Sequence, residues 1–294
     1  MILNQLLLIC NEGLIFAIFA FGIYLSFQWL KFPDLTPDGS FLIGACIYVK
    51  SAGIGVNPLF SILVATLSGS FCGIITACLN RFIKIPTFIS GVLMSVALYS
   101  IGWLLLGKPN QFLDYKLTLV GDSVGIKYNF ELLCYLIPII GAITIFIILF
   151  YNSIWGLRIR AIGENSNISH KITKNNTLYY FLLLAISNGI VATSGALFLQ
   201  RSYSVDINMG MGQTIVGLTI MIIGMLLSYP TRKISIILLL IILGSILYKG
   251  IMFATLEFGL PAELFRLGSS LILIIVFFIM RASSLNVLKG LKWN

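Results

Sequence analysis

Long apolar runs separated by short polar intervals make up most of this sequence. Taking about 20 residues as one bilayer crossing, we count nine candidate spans. They are Leu6–Phe27, Pro37–Val49, Pro58–Leu79, Pro86–Leu106, Glu131–Tyr151, Leu178–Leu199, Gln213–Ser228, Ile234–Tyr248 and Leu264–Met280. The runs are continuous and do not alternate with period two, so a transmembrane β-barrel does not fit them. The pattern predicts an all-α, polytopic helical membrane protein.

Composition supports this class. Only 10% of the 294 residues are charged and 59% are hydrophobic, whereas a soluble domain has about 25% charged residues. The net charge of +9 would suggest a nucleic-acid partner in a soluble protein, but in membrane proteins basic residues mark cytoplasmic loops. We therefore predict lipid contact, no nucleic-acid partner, and one transmembrane domain covering residues 1–294.

The distribution of loop charges predicts the orientation. Lys and Arg outnumber Asp and Glu most strongly in the intervals that face inward if the N-terminus is outside. The positive-inside rule therefore favours an outer N-terminus and a cytoplasmic C-terminus. The second, seventh and eighth spans are short, and short helices at membrane depth survive when they are buried in protein or line a cavity. We expect these three spans in the interior of the bundle.

The interval between the first two spans, Phe32–Gly39, contains two prolines and a glycine. Thr36 suits an N-cap, Pro37 suits the first helical position, and Asp38 would complement the helix dipole. This pattern is typical of an ordinary capped helix, and equally of a hinge beside a pore. The hinge hypothesis makes Asp34, Thr36, Asp38 and Gly39 candidate pathway residues.

Glu12 is an ionisable residue inside the first span, where such residues are functional candidates. It lies near the start of the span, where its side chain could also reach the membrane surface. We therefore treat Glu12 as a further pathway candidate. The third span carries Ala65, Gly69, Gly73 and Ala77 at four-residue spacing, which predicts close helix packing and gives no information on a ligand.

The residues needed for catalysis are not grouped in the sequence. His170 is the only histidine, which excludes Ser-His-Asp and HExxH sites formed within one chain. The stretch Gly102–Lys108 matches GxxxxGK, but Pro109 follows where a P-loop needs Ser or Thr. We predict that the chain is not an enzyme, does not hydrolyse ATP, and requires no cofactor or metal.

The polar interval Ser153–Asn176 is the longest on the predicted inner face. It contains Arg158, Arg160 and His170 with a single acid, Glu164. The arginines could lie at the end of the fifth span, but this does not explain the polar residues that follow them. We predict a cytoplasmic loop with a short helix that is capped by Asn165 or Ser166, ends near Lys171 and docks on another protein.

Several stretches, taken in order, resemble one protein family. They are FPDLTPDGSFLIGA at Phe32–Ala45, GVLMSVALYSIG at Gly91–Gly102, GLRIRAIGEN at Gly156–Asn165, SGALFLQ at Ser194–Gln200 and GMGQTIVGL at Gly210–Leu218. The chain resembles the permease subunits of bacterial ATP-binding-cassette (ABC) importers of the branched-chain amino acid and ribose type. Within that family it is most similar to a branch linked with tryptophan or tyrosine uptake.

This resemblance implies a homodimeric pore in the bacterial inner membrane, a separate ABC ATPase subunit and an extracytoplasmic solute-binding protein. It also implies that Arg158, Arg160, Gly163, Glu164 and Asn165 couple the pore to the ATPase. The implied solute is small, such as an aromatic or branched-chain amino acid. Because Met225 and Leu226 depart from the family pattern, the resemblance does not fix the solute. An ion-coupled secondary transporter is the alternative, and a membrane-bound enzyme or scaffold is a third hypothesis.

Overall fold

The computed structural model describes residues 2–121, 125–164, 176–231, 233–257 and 265–282. Within these residues the chain forms ten α-helices and two short β-strands. The helices are α1 Ile2–Tyr24, α2 Thr36–Gly53, α3 Pro58–Arg81, α4 Thr87–Leu106, α5 Ile126–Asn152, α6 Ile154–Glu164, α7 Asn176–Ser202, α8 Gln213–Ser228, α9 Ile234–Glu257 and α10 Phe265–Ala282. Helix α1 continues into a π-helical turn, Leu25–Trp29.

Seven helices of the described part of the chain are long and apolar enough to cross a membrane. They are α1 with its π-helical turn, α3, α4, α5, α7, α8 with the turn before it, and α9. The second and ninth predicted spans correspond to α2 and α10, helices of 18 residues that are not among these seven. The class of polytopic helical membrane protein is confirmed, whereas the count of nine spans and the outer N-terminus stay predictions.

Helix α2 lies inside the bundle, as its short apolar run predicted. It packs against α3, α4 and α7, and 14 of its 18 residues are buried. The expectation for the eighth span is wrong, because α9 has 24 residues and only a third of its apolar window is buried. Lys249 appeared to end the apolar run, but its ammonium group lies 3.2 Å from Glu12 of α1, so the helix continues beyond it.

The small residues of α3 form a seam with α7, as predicted. A Cβ at Gly69 would collide with Ala192, and a Cβ at Gly73 would collide with the backbone of Leu184. The Thr66 and Thr193 hydroxyls lie 2.7 Å apart across the same seam. Small residues allow this close backbone approach, which stabilises helix pairs in lipid through van der Waals contact.

The two halves of the chain repeat one arrangement in opposite directions. A long helix is followed by a short one and two longer ones, first in α1–α4 and again in α7–α10. Helices α1 and α7 are antiparallel: Glu12 near the middle of α1 lies 3.7 Å from Arg201 at the end of α7, while Gly22 near the end of α1 accepts from Ser187 near the middle of α7. Helix α2 packs on α7 and α3, and α8 packs on α1 and α9. This is an inverted repeat, a common design in helical membrane proteins.

A short antiparallel pair of strands joins the connections that follow α4 and α7. Strand β1, Asn110–Phe112, pairs with β2, Ser204–Asp206. The Tyr48 hydroxyl donates to the carbonyl of Leu117, and the Gln200 side chain accepts from the amide of Leu119. These contacts fix the connections over the end of the bundle where α1 starts and α7 ends.

Candidate functional site

A fully buried polar cluster lies where the chain enters α2. The Asp34 carboxylate accepts hydrogen bonds from the Thr36 amide at 2.8 Å and from the Asn188 side chain at 2.9 Å. Asn188 in turn accepts from Ser40 at 2.7 Å, and the Thr36 hydroxyl lies 2.9 Å from that of Thr76. Burial raises the pKa of the Asp34 carboxyl, and the hydrogen bonds from Thr36 and Asn188 oppose this rise. The cluster ties the start of α2 to α3 and α7.

The start of α2 differs by one residue from the prediction. Thr36 is the first helical residue and not the N-cap, because the Asp34 side chain accepts from the Thr36 amide. Pro37 still lies in the first turn. The absence of a side chain at Gly91 lets α4 approach this segment, since a Cβ there would lie 2.5 Å from the Leu35 amide nitrogen.

Asp38 brings the starts of two short helices together. Its Oδ1 accepts from the amide and the hydroxyl of Thr214, both at 2.6 Å, and its Oδ2 accepts from the amide of Gly212 at 2.9 Å. Gly212 is the N-cap of α8 and supplies no capping side chain. Asp38 is also in the first turn of α2, so one carboxylate serves the positive ends of two helix dipoles.

A cavity of about 210 Å³ adjoins this junction. Its lining comes from α2, α4 and the turn before α8, and includes Gly39, which the hinge hypothesis had named, together with Asp38, Leu42, Ser95, Tyr99 and Ile207. Its mouth passes two further lining residues, Val96 and Met211, whose side chains are 63% and 44% exposed. Sites at the interface of inverted repeats are typically formed by short or interrupted helices. The junction of α2 and α8 is therefore the candidate binding site.

Glu12 lies in a mixed-charge cluster near the middle of α1. It forms ion pairs with Lys249 of α9 at 3.2 Å and with Arg201 of α7 at 3.7 Å. The Lys249 ammonium also lies 3.6 Å from the centre of the Phe16 ring. The cluster joins α1 to α7 and α9 of the second half, and Glu12 does not line the cavity at Asp38.

The segment GLRIRAIGE is itself a helix, α6, with two different faces. Gly156, Ile159 and Ile162 are buried. On the other side Ile154 and Leu157 are 67% and 63% exposed. An amphipathic helix buries one face in its own protein, and here the second face also carries large apolar side chains.

The two arginines of α6 bind aromatic residues of neighbouring helices. Arg158 donates to the Tyr179 hydroxyl at 2.7 Å. Arg160 donates to the carbonyl of Tyr151 at 2.9 Å, and its guanidinium lies 3.5 Å from the centre of that ring and 5.7 Å from the ring of Trp29. The hydrogen bond of Arg158 fixes α6 against α7, and the cation–π contacts of Arg160 fix it against α5 and the π-helical turn.

Gly163 and Glu164 place the end of α6 directly on the chain that leads to α2. A Cβ at Gly163 would collide with the carbonyl oxygen of Trp29, so the two backbones touch. Glu164 lies 3.6 Å from Lys31, which adopts a left-handed conformation with φ of 54°. Asp34 follows Lys31 by three residues, so α6 is connected to the buried cluster through one short segment.

The helix that the structure shows in this interval, α6, begins at Ile154 and ends at Glu164. The helix predicted from Asn165 or Ser166 to Lys171 lies outside the described residues, as do Asn165 and His170. Two contacts were not predicted from the sequence: the hydrogen bonds of Asp38 with α8 and the hydrogen bond that Asn188 donates to Asp34. Each of them joins residues more than 150 positions apart. Among the described residues, no three His, Cys, Asp or Glu side chains are grouped as metal ligands would be.

Comparison with known proteins identifies one family. Residues 5–279 match the family model described as branched-chain amino acid transport system / permease component. The chain is 29% identical to the tyrosine transport system permease protein of Clostridioides difficile (strain R20291), over 92% of this chain and 90% of that protein. It is 30% identical to an uncharacterized protein of Rickettsia prowazekii (strain Madrid E), over 76% of this chain and 77% of that protein. No solved structure matches the chain. The chain therefore belongs to the permease component family of branched-chain amino acid transport systems.

Proposed function

We propose that this chain is the transmembrane subunit of an ATP-driven importer and forms the pathway for a small solute, an amino acid. The observation that carries this proposal is helix α6. One face packs on α1, α5 and α7, while Ile154 and Leu157 on the other face are exposed. An exposed apolar patch rimmed by charged residues such as Arg158 is typical of a protein-docking surface.

The proposed mechanism assigns the energy source to a partner. An ABC ATPase subunit would bind α6 from the cytoplasm, and a second copy of the permease would present the same surface beside it. Closure of the ATPases on ATP would displace α6, and the contact of Gly163 with Trp29 would pass this displacement to Asp34 and Asp38. The ATPases can shift the permease from one position of α6 to the other only if they bind these two states with different affinities.

The remaining parts of the proposal concern the solute and its delivery. The Clostridioides difficile relative is named a tyrosine transport permease, which favours an aromatic or another amino acid as the solute here. An extracytoplasmic solute-binding protein would deliver it at the end of the bundle where β1 and β2 pair. We propose that the chain lies in the bacterial inner membrane with its N-terminus outside and its C-terminus in the cytoplasm.

One observation favours the alternative, an ion-coupled secondary transporter. Asp34 is fully buried, and buried acids in membrane proteins mark ion pathways. Its bonds to Thr36 and Asn188 also suit a structural role, and Glu12 is paired with two cations. The alternative predicts uptake that a proton ionophore abolishes while ATP is still present.

Loss of ATPase binding tests the proposed docking surface. An ABC ATPase subunit expressed together with this chain should co-purify with it in detergent. Leu157→Glu places a charge on the exposed face of α6 and should abolish co-purification without changing the elution volume of the permease. Leu157→Met conserves the apolar volume and should keep the ATPase bound. Normal co-purification with Leu157→Glu would refute the assignment of α6.

A further inference from the structure

A second concave feature, a groove of about 180 Å³, lies between the start of α1 and the end of α9. Its apolar wall consists of Leu6 and Ile9 of α1 and of Gly250, Phe253 and Ala254 of α9. Among the described residues, a Cβ at Gly250 would have only the side chain of Ile9 within 4 Å, at 3.9 Å. The space beside this glycine is therefore open.

The groove faces the membrane and not a neighbouring helix of the described part of the chain. Helix α5 lies on the far side of α1, where Asn11 donates to the carbonyl of Asn129. Helix α10 lies on the far side of α9, where Gly268 is beside Met252. Both Asn11 and Met252 are about half a helical turn around from most of the lining residues on the same helix. Because α1 and α9 are both long and apolar enough to cross a membrane, the groove opens onto the surrounding lipid.

One end of the groove is polar and acidic. Gln5 donates to Oε1 of Glu257 at 2.8 Å, and both residues line the groove, whose lining contains no Lys or Arg. The one basic residue of α9, Lys249, has its ammonium group on Glu12 and on the Phe16 ring, deeper along α1. An exposed carboxylate in such a place attracts a cation and repels an anion.

The apolar wall alone would not select one lipid over another. A hydrocarbon chain leaves equally apolar surroundings when it enters the groove, so the hydrophobic effect gives little preference. The headgroup has to provide the selectivity. A primary ammonium group suits the polar end, because it carries three N–H donors, and the hydrogen-bonded pair of Gln5 and Glu257 offers acceptor oxygens.

We propose that the groove between α1 and α9 binds phosphatidylethanolamine, with one acyl chain against Ile9 and Phe253 and the ammonium group on Glu257. Phosphatidylglycerol has no ammonium group, and Glu257 repels its negative charge. Phosphatidylcholine has the positive charge but no N–H donor, so its affinity should lie between the two. Exposed ion pairs change affinity by up to about fivefold, and the preference for phosphatidylethanolamine over phosphatidylglycerol should be about two- to fivefold.

Competition between lipids in native mass spectrometry tests the proposal. Full-length permease is stripped of lipid in detergent and mixed with equal amounts of the three lipids, all with the same acyl chains. Bound phosphatidylethanolamine should exceed bound phosphatidylglycerol about two- to fivefold, with phosphatidylcholine between them. Equal binding of all three lipids, or an excess of phosphatidylglycerol, would overturn the headgroup assignment. The assay contains neither ATP nor an ATPase, so its failure would leave the proposed function standing.

Two variants and a matched control locate the site. Glu257→Gln keeps an oxygen that can accept from Gln5 but removes the charge, so phosphatidylethanolamine and phosphatidylglycerol should bind equally. Gly250→Phe should fill the groove without a collision at its Cβ, and bound phosphatidylethanolamine should fall to the wild-type level of phosphatidylglycerol or below. Leu243→Phe is the control, because Leu243 is 45% exposed, lies on α9 about two turns from Gly250 and is outside the lining. Its lipid preference should equal that of the wild type. An unchanged preference in Glu257→Gln or in Gly250→Phe, at an unchanged elution volume of the permease, would refute the location.

Discussion

Replacing Gly163 with alanine tests whether α6 must lie directly on the backbone of α1. A Cβ at this position would collide with the carbonyl oxygen of Trp29 and would lie 3.1 Å from the carbonyl carbon of Leu30. A carbon atom keeps about 3.3–3.6 Å from a carbonyl oxygen, so α6 would have to withdraw by roughly 1 Å. Backbone atoms form this contact, so a change of rotamer cannot relieve it.

The expected cost follows from two opposing terms. Overpacking destabilises a structure by about 1–3 kcal/mol, while replacing glycine by alanine inside a helix stabilises the helix by about 1 kcal/mol. The contact between α6 and α1 should therefore weaken by up to about 2 kcal/mol, or up to about thirtyfold in the ratio of docked to undocked α6. The helical bundle should stay folded, because most of its hydrophobic core lies between other helices.

The assay measures coupling and stability separately. In proteoliposomes with the ATPase and the solute-binding protein, Gly163→Ala should keep ATP hydrolysis while the solute imported per ATP falls severalfold. Gly141→Ala is the matched control, because a Cβ at Gly141 in α5 meets no atom within 4 Å, and it should behave like the wild type. An unchanged import-to-hydrolysis ratio in Gly163→Ala would refute the reasoning that links α6 to the start of α2.

Three other substitutions test the fold around the site. Gly73→Leu should sharply reduce the monodisperse yield in detergent, because even a Cβ at Gly73 collides with the backbone of α7; a normal yield would refute the α3–α7 seam. Burial raises the folded-state pKa of Asp34 above its unfolded value of about 3.9, so this residue stabilises the fold less as pH rises between the two values. Raising the pH from about 4 should therefore lower the unfolding temperature of the wild type more than that of Asp34→Asn. Unfolding temperatures that change equally with pH in the two proteins would contradict this. Glu12→Gln should lower the free energy of unfolding by roughly 1–3 kcal/mol, and adding Lys249→Met should recover part of the loss in a denaturant titration; no recovery would argue against the ion pair.

Hydropathy predicted the positions of the helices well, because each apolar run has to satisfy its own backbone hydrogen bonds in lipid. Errors arose where charged residues lie inside helices. The fifth span appeared to begin at Glu131, but α5 begins at Ile126, and Lys127 and Glu131 form an (i, i+4) pair at 3.8 Å within it. Lys249 misled the reading of α9 for a related reason, because its partner Glu12 is 237 residues away.

The candidate site could be predicted only in part. The motif at Phe32–Gly39 identified Asp34, Asp38 and Gly39 as the start of an interior helix, since proline, glycine and capping residues give a local signal. The partners of these residues lie in α7 and α8, and no periodicity in one sequence reports such distant contacts. The inverted repeat could not be predicted for the same reason. It is recognised from which helices pack against each other and not from matching residues in the two halves.

The central claim is that this chain provides a passage while a separate subunit supplies the energy from ATP. The most direct measurement is uptake of radiolabelled L-tyrosine and L-leucine into proteoliposomes that contain the permease, its ATPase subunit and the solute-binding protein. We predict uptake that requires enclosed ATP and the binding protein and that persists after a proton ionophore is added. Uptake by the permease alone that is driven by an ion gradient and abolished by the ionophore would contradict the claim.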